Sequence, residues 1–255
     1  MFRIRRNHLP VLSLEGLQAF YGDLLGMEVL GSDDEPVFGF DPDQCCLAFR
    51  ATASAPHKPG QHDFCWKIGI TLRDLDAAVV YLRSRGVELR DPIQFLDIGY
   101  MTKLVDPNGF IIELLQQEFE GHHCPAPASH PIADQATLAH ITLRVTDLEA
   151  AKAFFESDLG MRLMSVQPVH EYAFCLYFYC WSDEPLPDPD LASVANRAWL
   201  WARPYAFIEL QHLELPTKKL RKVGKKSAGF DGFSFGAPGA AKARYVPVDA
   251  MKGLK

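Results

Sequence analysis

At 255 residues the chain is long enough for two domains with cores of their own, and 48 % hydrophobic with 23 % charged residues is the balance of a soluble globular protein. A net charge of −6 gives no reason to expect nucleic acid as a partner. No apolar run approaches the roughly 20 residues that span a bilayer, and the N-terminus lacks the apolar segment of a signal peptide, so no membrane partner is expected. Cys45, Cys46, Cys65, Cys124, Cys175 and Cys180 show no CxxC spacing, which points to reduced thiols in a cytoplasmic protein.

In chain order, His8 to Leu12 reads as the end of a first strand, Ser13 as a helix cap, and Cys45–Arg50 as the last strand of a module covering residues 1–56. The Pro/Gly loop at 51–60 leads to a second module, 64–117. It holds a strand at Lys67–Leu72 and a helix at Leu75–Ser84. A turn comes next at Asp106-Pro107-Asn108-Gly109, then a buried strand, Phe110–Leu115, whose one charge is Glu113. Residues 119–136 have the Pro/Ala/His character of a linker, in which His122, His123 and His130 are incidental rather than a metal site.

The third module, 137–213, opens with a strand at Ala139–Val145. Thr146 then caps a helix, with Glu149 completing a capping box, and Leu148, Ala151, Phe154, Phe155 and Leu159 form its apolar stripe. Gly160 ends the helix and a strand starts at Met161. Phe174–Trp181 is aromatic on both faces. Either Tyr177, Tyr179 and Trp181 line a pocket while Phe174, Leu176 and Phe178 face the core, or the reverse holds. A proline- and acid-rich loop, Ser182–Ala195, is inserted before the strand Ala206–His212, where Glu209 sits between Ile208 and Leu210. A buried glutamate there needs a metal or an Arg/Lys partner. Lys218, Lys219, Arg221, Lys222, Lys225 and Lys226 read as a solvated basic loop. Gly229–Phe235 reads as one more strand, but the stretch from Gly236 to Lys255 is too short for a helix and three strands.

The chain repeats itself. Shifting it by about 134 residues lays Val11 on Val145, Glu15 on Glu149, Ala19-Phe20 on Ala153-Phe154 and Leu25-Gly26-Met27 on Leu159-Gly160-Met161. A fainter copy lies between, giving a unit of strand, helix and several strands. The helix ending in FY…LGM and the segment VDPNGFIIELLQ (Val105–Gln116) resemble the vicinal oxygen chelate superfamily of glyoxalases, bleomycin-resistance proteins and extradiol dioxygenases. HITLRV at His140–Val145, FCLYFYCW, Trp199 and AFIELQH at Ala206–His212 resemble glyoxalase I more closely. The resemblance implies an α+β fold of βαβββ modules pairing into cup-shaped mixed sheets. Two modules would make one domain, 1–118. A second domain, 137–255, would be truncated or degenerate after about residue 213.

The same resemblance implies a site built from first and last strands of paired modules, around a divalent Zn, Ni, Fe or Mn that holds two vicinal oxygens of a small substrate. His140 and Glu209 fall on ligand positions. Glu113 does too, but Lys67 stands where a histidine is expected (KIGI for HIGI), which also allows a Lys67–Glu113 salt bridge and no metal. In the first module either Arg6 or His8 takes the ligand place. Modules one and two would form a cup with His8, Lys67 and Glu113, the family's usual order; modules two and three would form one with Glu113, His140 and Glu209. Glu113 or Glu209 would be the catalytic base, and Lys67, Arg144, Tyr177 and Tyr179 would bind substrate. Arg144 matches an arginine that holds a carboxylate of a glutathione adduct, whereas Leu213 replaces the asparagine expected with it. The implied activity is glyoxalase-like lyase chemistry. The alternatives are an extradiol-type dioxygenase and a non-catalytic binding protein of the bleomycin-resistance type. An incomplete fourth module leaves a sheet edge that a homodimer would cover.

Overall fold

The computed structural model describes residues 1–60, 62–119, 129–134, 136–214, 220, 227–240 and 242–254. Lys218, Lys219, Arg221, Lys222, Lys225, Lys226, His122, His123 and Cys124 lie outside the described residues. β-Branched and aromatic runs form strands, as their alternation dictates. In module one these are β1 (Arg3–Val11), β2 (Glu28–Val29), β3 (Val37–Gly39) and β4 (Cys46–Ala51). Module two has β5 (Cys65–Leu72), helix α1 (Leu75–Ser84), β6 (Ile93–Phe95), β7 (Gly99–Val105) and β8 (Ile111–Gln116). Module three has β9 (Thr137–Val145), α2 (Leu148–Lys152), β10 (Arg162–Val169), β11 (Phe174–Cys180), α3 (Val194–Trp201) and β12 (Phe207–Leu213). Beyond it come β13 (Gly232–Gly236), β14 (Arg244–Pro247) and a 3₁₀ segment, Val248–Leu254.

These strands form two sheets that do not respect a division of the chain near residue 118. One has the order β10-β11-β12-β9-β5-β8-β7-β6, so modules two and three are joined edge to edge through antiparallel β5 and β9. The other, β14-β13-β1-β4-β3-β2, joins module one to the remnant after residue 213 through antiparallel β1 and β13. The pairing of modules one and two does not occur. Parts of the expected linker are also folded in: Ile132 is fully buried, and Tyr81 Oη meets His130 Nε2 at 3.3 Å.

The repeated cassette is visible in three dimensions. In both copies the helix widens into a π-turn, Gln18–Leu24 and Ala153–Asp158, with Met27 N–H donating to Tyr21 O (2.9 Å) and Met161 N–H to Phe155 O (2.8 Å). Gly26 (φ +76°) and Gly160 (φ +66°) then make the left-handed exit that favours glycine. The cap of α2 is Asp147, one residue later than the capping-box pattern indicates: its carboxylate accepts from Ala150 N–H at 2.9 Å. Thr146 instead gives its N–H to Leu254 O (3.0 Å), which ties the 3₁₀ segment to the start of that helix. In the third module the stretch after the acidic loop also carries α3, capped by Ser193.

Each face of the eight-stranded sheet buries its own cluster. The helix-bearing face packs Ile68, Ile70, Leu75, Leu82, Phe155 and Tyr179, continuous with the core of the other sheet. The concave face packs Ile98, Met101, Phe178, Trp201 and Phe207. On β11, therefore, Phe174, Leu176 and Phe178 turn into the cup and Tyr177 and Tyr179 turn to the helices.

Candidate functional site

The four middle strands run β12-β9-β5-β8, and their register sets four polar side chains together on the concave floor. β9 pairs with β12 so that Thr142 lies opposite Glu209 and His140 opposite Phe207. Across the module junction Lys67 lies opposite Thr142 and Gly69 opposite His140, and on the far side Gly69 pairs with Glu113. Register shifts between Cys65 and Lys67 and between Gly69 and Ile70 re-aim this part of β5. Gly69 leaves room for the His140 ring, which a β-carbon there would overlap. Phe207 stacks on the ring from 5.2 Å and Trp201 from 6.1 Å.

Lys67, Glu113, His140 and Glu209 are all buried. The Lys67 ammonium donates to Glu113 Oε2 and lies 3.5 Å from Glu209 Oε1, which also accepts from Thr142 Oγ1 at 2.7 Å. Lys103 Nζ lies 3.3 Å from Glu113 Oε1. His140 Nε2 is 3.7 Å from Glu113 Oε2 and 3.8 Å from Glu209 Oε2, beyond hydrogen-bond length, and neither of its ring nitrogens has a hydrogen-bond partner among the described residues. Burial opposes the charge on Lys67, yet Glu113 and Glu209 outweigh it and raise the ammonium's pKa. Burial likewise pushes the Glu113 carboxyl up, but Lys67, with His140 and Lys103, holds it well below the usual carboxylate range. The pair is ionised at ordinary pH.

The donor set does not fit the divalent metal that the resemblance implies. The Glu113 oxygen nearer His140 is already taken by Lys67, and one Glu209 oxygen is shared by Thr142 and the ammonium. Glu113 Oε1 faces the Lys103 ammonium at 3.3 Å, which leaves His140 Nε2 and Glu209 Oε2 without a cation against them, fewer than the three protein ligands of a catalytic zinc site, and fixed positive charge beside both carboxylates repels a dication. Among the described residues no group of three or more His, Cys, Asp or Glu side chains is set to hold an ion. His8 is in the other sheet, with Nε2 2.6 Å from Ser234 Oγ, and joins neither Lys67 nor Glu113.

A cavity of 820 Å³ opens over Lys67 and Glu113. Its walls are Trp66, Phe95, Ile98, Met101, Phe174 and Leu176, with Lys103 beside the two floor residues. The module-three half of the cup is filled by α3. Trp201 donates its indole N–H to Ile98 O at 3.0 Å, and fully buried Arg197 pairs with Asp97 at 2.8 Å. The sequence reading missed this plug; the apolar VANRAWLW stretch is the signal that could have shown it.

The other expected substrate-binding residues lie off this cavity. Arg144 donates from Nε to Gln211 Oε1 (2.9 Å) and from Nη1 to Gly60 O (2.7 Å), with its guanidinium over Trp66. Tyr179 donates to Glu156 Oε1 at 2.7 Å on the helix side, and Tyr177 faces the same way, under Lys152.

Residues 5–114 match the model of the Glyoxalase/Bleomycin resistance protein/Dioxygenase superfamily. A lactoylglutathione lyase of Arabidopsis thaliana, GLX1, is 26 % identical over 177 residues, 65 % of this chain and 57 % of that protein. A relative from Brassica oleracea var. gemmifera is 29 % identical over 157 residues, 57 % of this chain and 50 % of that protein. The chain thus spans about half the length of these relatives. The crystal structure of glyoxalase I from Zea mays shares the fold at a TM-score of 0.65 and 18 % identity, over 92 % of this chain and 74 % of that one.

Proposed function

We propose, from the premise that residues 5–114 belong to the glyoxalase superfamily and that the chain has the fold of glyoxalase I, that it is a glyoxalase-type enzyme. It would enolise a small substrate through two vicinal oxygens, with Lys67 in the electrophile's role. The observation that supports this reading is the convergence of Lys67 and Glu113, with His140 and Glu209 behind them, on the floor of one cavity. The superfamily's metal would supply Lewis-acid stabilisation of an oxyanion. Here a buried ammonium occupies the corresponding place and serves as a preorganised donor.

The ion pair sets the proton chemistry. Held by Lys67, Glu113 is a weak base. When a substrate oxygen draws the Lys67 hydrogen bond to itself, Glu113 loses its partner and becomes more basic. It then takes the proton from the carbon next to the carbonyl. The C–H electron pair becomes the C=C bond of an enediolate, whose oxyanion Lys67 holds. The hydroxyl proton passes to the neighbouring oxyanion, and return of the carbon-bound proton from Glu113 to the former carbonyl carbon, as the C=C pair forms the new C–H bond and the other oxygen becomes the carbonyl, completes an isomerisation. Five free cysteines among the described residues suit a reducing cytoplasm, and the outer edge of β14 is where a second copy would add a strand.

The test is deuterium exchange at the carbon next to the carbonyl of 2-hydroxyacetophenone in D₂O, monitored by NMR with chelator-treated protein. The expected outcome is exchange above the buffer rate that falls at least ten-fold in Glu113→Gln and in Lys67→Met. Exchange that depends on added divalent metal overturns the role of Lys67. No exchange, with the compound still bound, favours the binding-protein reading, which the depressed basicity of Glu113 also supports.

A further inference from the structure

We propose that the ligand of the 820 Å³ cavity is a carboxylate with an extended apolar body, and not a glutathione adduct. This rests on the reading of the cup as the ligand site. It is independent of whether the ligand is turned over.

The charged end is set by the floor. Among the cavity-lining residues there, two ammoniums, Lys67 and Lys103, share one carboxylate, Glu113. Glu209 balances Lys67 from behind and is not on the wall. Lys103 is the available group: its side chain is 42 % exposed and its Nζ rests 4.8 Å over the Trp66 ring. Lys67 and Arg144 bring two more cations to that ring, each 4.7 Å from the centroid. The rim carries Arg90 with Glu88 and Asp91, and Asp91 is already paired with Arg83 at 2.6 Å. On the wall itself two ammoniums thus face one carboxylate, Glu209 closing the balance from behind, so a monoanion meets Lys103, the more exposed of the two cations, first.

The rest of the ligand is set by the walls. Ile93, Phe95, Ile98, Met101, Leu104 and Leu176 are apolar, so a body without hydrogen-bonding groups fits them and a peptide backbone with several amides does not. The half of the cup where further room would be needed is filled by Trp201 and Phe207. Arg144, the residue that the resemblance assigns to a glutathione carboxylate, is bonded to Gln211 and Gly60 and does not line the cavity.

Calorimetric titration of the full chain tests this with three probes: 2-naphthylacetate, its neutral counterpart 2-(2-naphthyl)ethanol, and S-hexylglutathione. The acid is expected to bind at least ten-fold tighter than the alcohol, and S-hexylglutathione weaker than either. Lys103→Met should erase the preference for the acid while leaving the thermal midpoint within a few degrees. Phe95→Asp should weaken acid and alcohol alike. Equal binding of acid and alcohol, an unchanged preference in Lys103→Met, or tighter binding of S-hexylglutathione overturns the inference. Acid binding without deuterium exchange sinks only the enolisation reading. Exchange without a carboxylate preference sinks only this one.

Discussion

At the scale of single residues, the site is a balance of buried charges. Two carboxylates and one ammonium are held under 7 % exposed, and none is tolerable there alone. Lys67→Met removes the ammonium and leaves Glu113 and Glu209 facing each other and His140. A loss of about 3–5 kcal/mol in urea unfolding at pH 7 is expected. The double change Lys67→Met with Glu113→Gln should recover part of that loss, because one buried carboxylate instead of two is then left without the ammonium. The pH dependence has a definite sign. Glu113 has a folded pKa below its ordinary value of 4.5, so its contribution is present above that value and is lost as the pH falls below it. Lys67 has a folded pKa above 10.5, so its contribution holds below 10.5 and is lost as the pH rises through the folded value. Wild-type stability should therefore decline below about pH 4.5, and the double variant should show a flatter acid limb. An equally steep acid limb in the double variant would place the acid sensitivity elsewhere. Glu113 and Glu209 were legible in the sequence because each is the one charge in an apolar strand. Lys67 was legible as a partner for Glu113. That one ammonium would reach both carboxylates was not, because it depends on the β5–β9 register and its shifts.

At the scale of elements, local chemistry marks most of the strands and helices, and its errors are short-range competitions. Leu75–Ser84 is a helix with Asp74 accepting from Ala77 N–H at 2.9 Å, in agreement with its apolar spacing. At the next helix two adjacent residues, Thr146 and Asp147, both have capping side chains. The carboxylate wins, since an anion at a helix N-terminus gains from the aligned peptide dipoles as well as from the hydrogen bond. Asp147→Ala should cost about 1 kcal/mol and Thr146→Ala about half that or less, by urea unfolding. The reverse order would restore the capping-box reading. α3 escaped because its eight residues come after an acidic, proline-rich loop and its stabilisation is tertiary. Arg197 reaches Asp97 in another module and Trp201 reaches Ile98 O there. No sequence window contains those partners. The same absence hid which face of β11 looks into the cup: both faces are aromatic, and only the placement of α3 and of the π-turn helix separates them.

For the whole molecule, the modules are legible and their pairing is not, because a βαβββ unit has the same pattern whichever neighbour covers it. The deciding contacts lie far apart in the chain: β5 against β9 and β1 against β13. Each sheet therefore takes strands from both sides of the connection at 119–136. This gives a sharp expectation for fragments. A piece ending at residue 128 contains β5 without β9 and β1 without β13, so two strand edges that are central in the intact sheets are bare and hydrophobic. The piece from residue 129 onward carries the complementary pair of bare edges. Its His140, Thr142 and Glu209 also lack Lys67, so a buried carboxylate has no cation. Each piece alone should be aggregated or poorly folded by circular dichroism and light scattering. Mixed during refolding, the two should form a one-to-one complex that regains the strand content and ligand binding of the intact chain. A 1–128 fragment that folds as a stable monomer would mean that modules one and two can cover each other after all. The charge balance at Lys67 would then have to be rebuilt without Glu209.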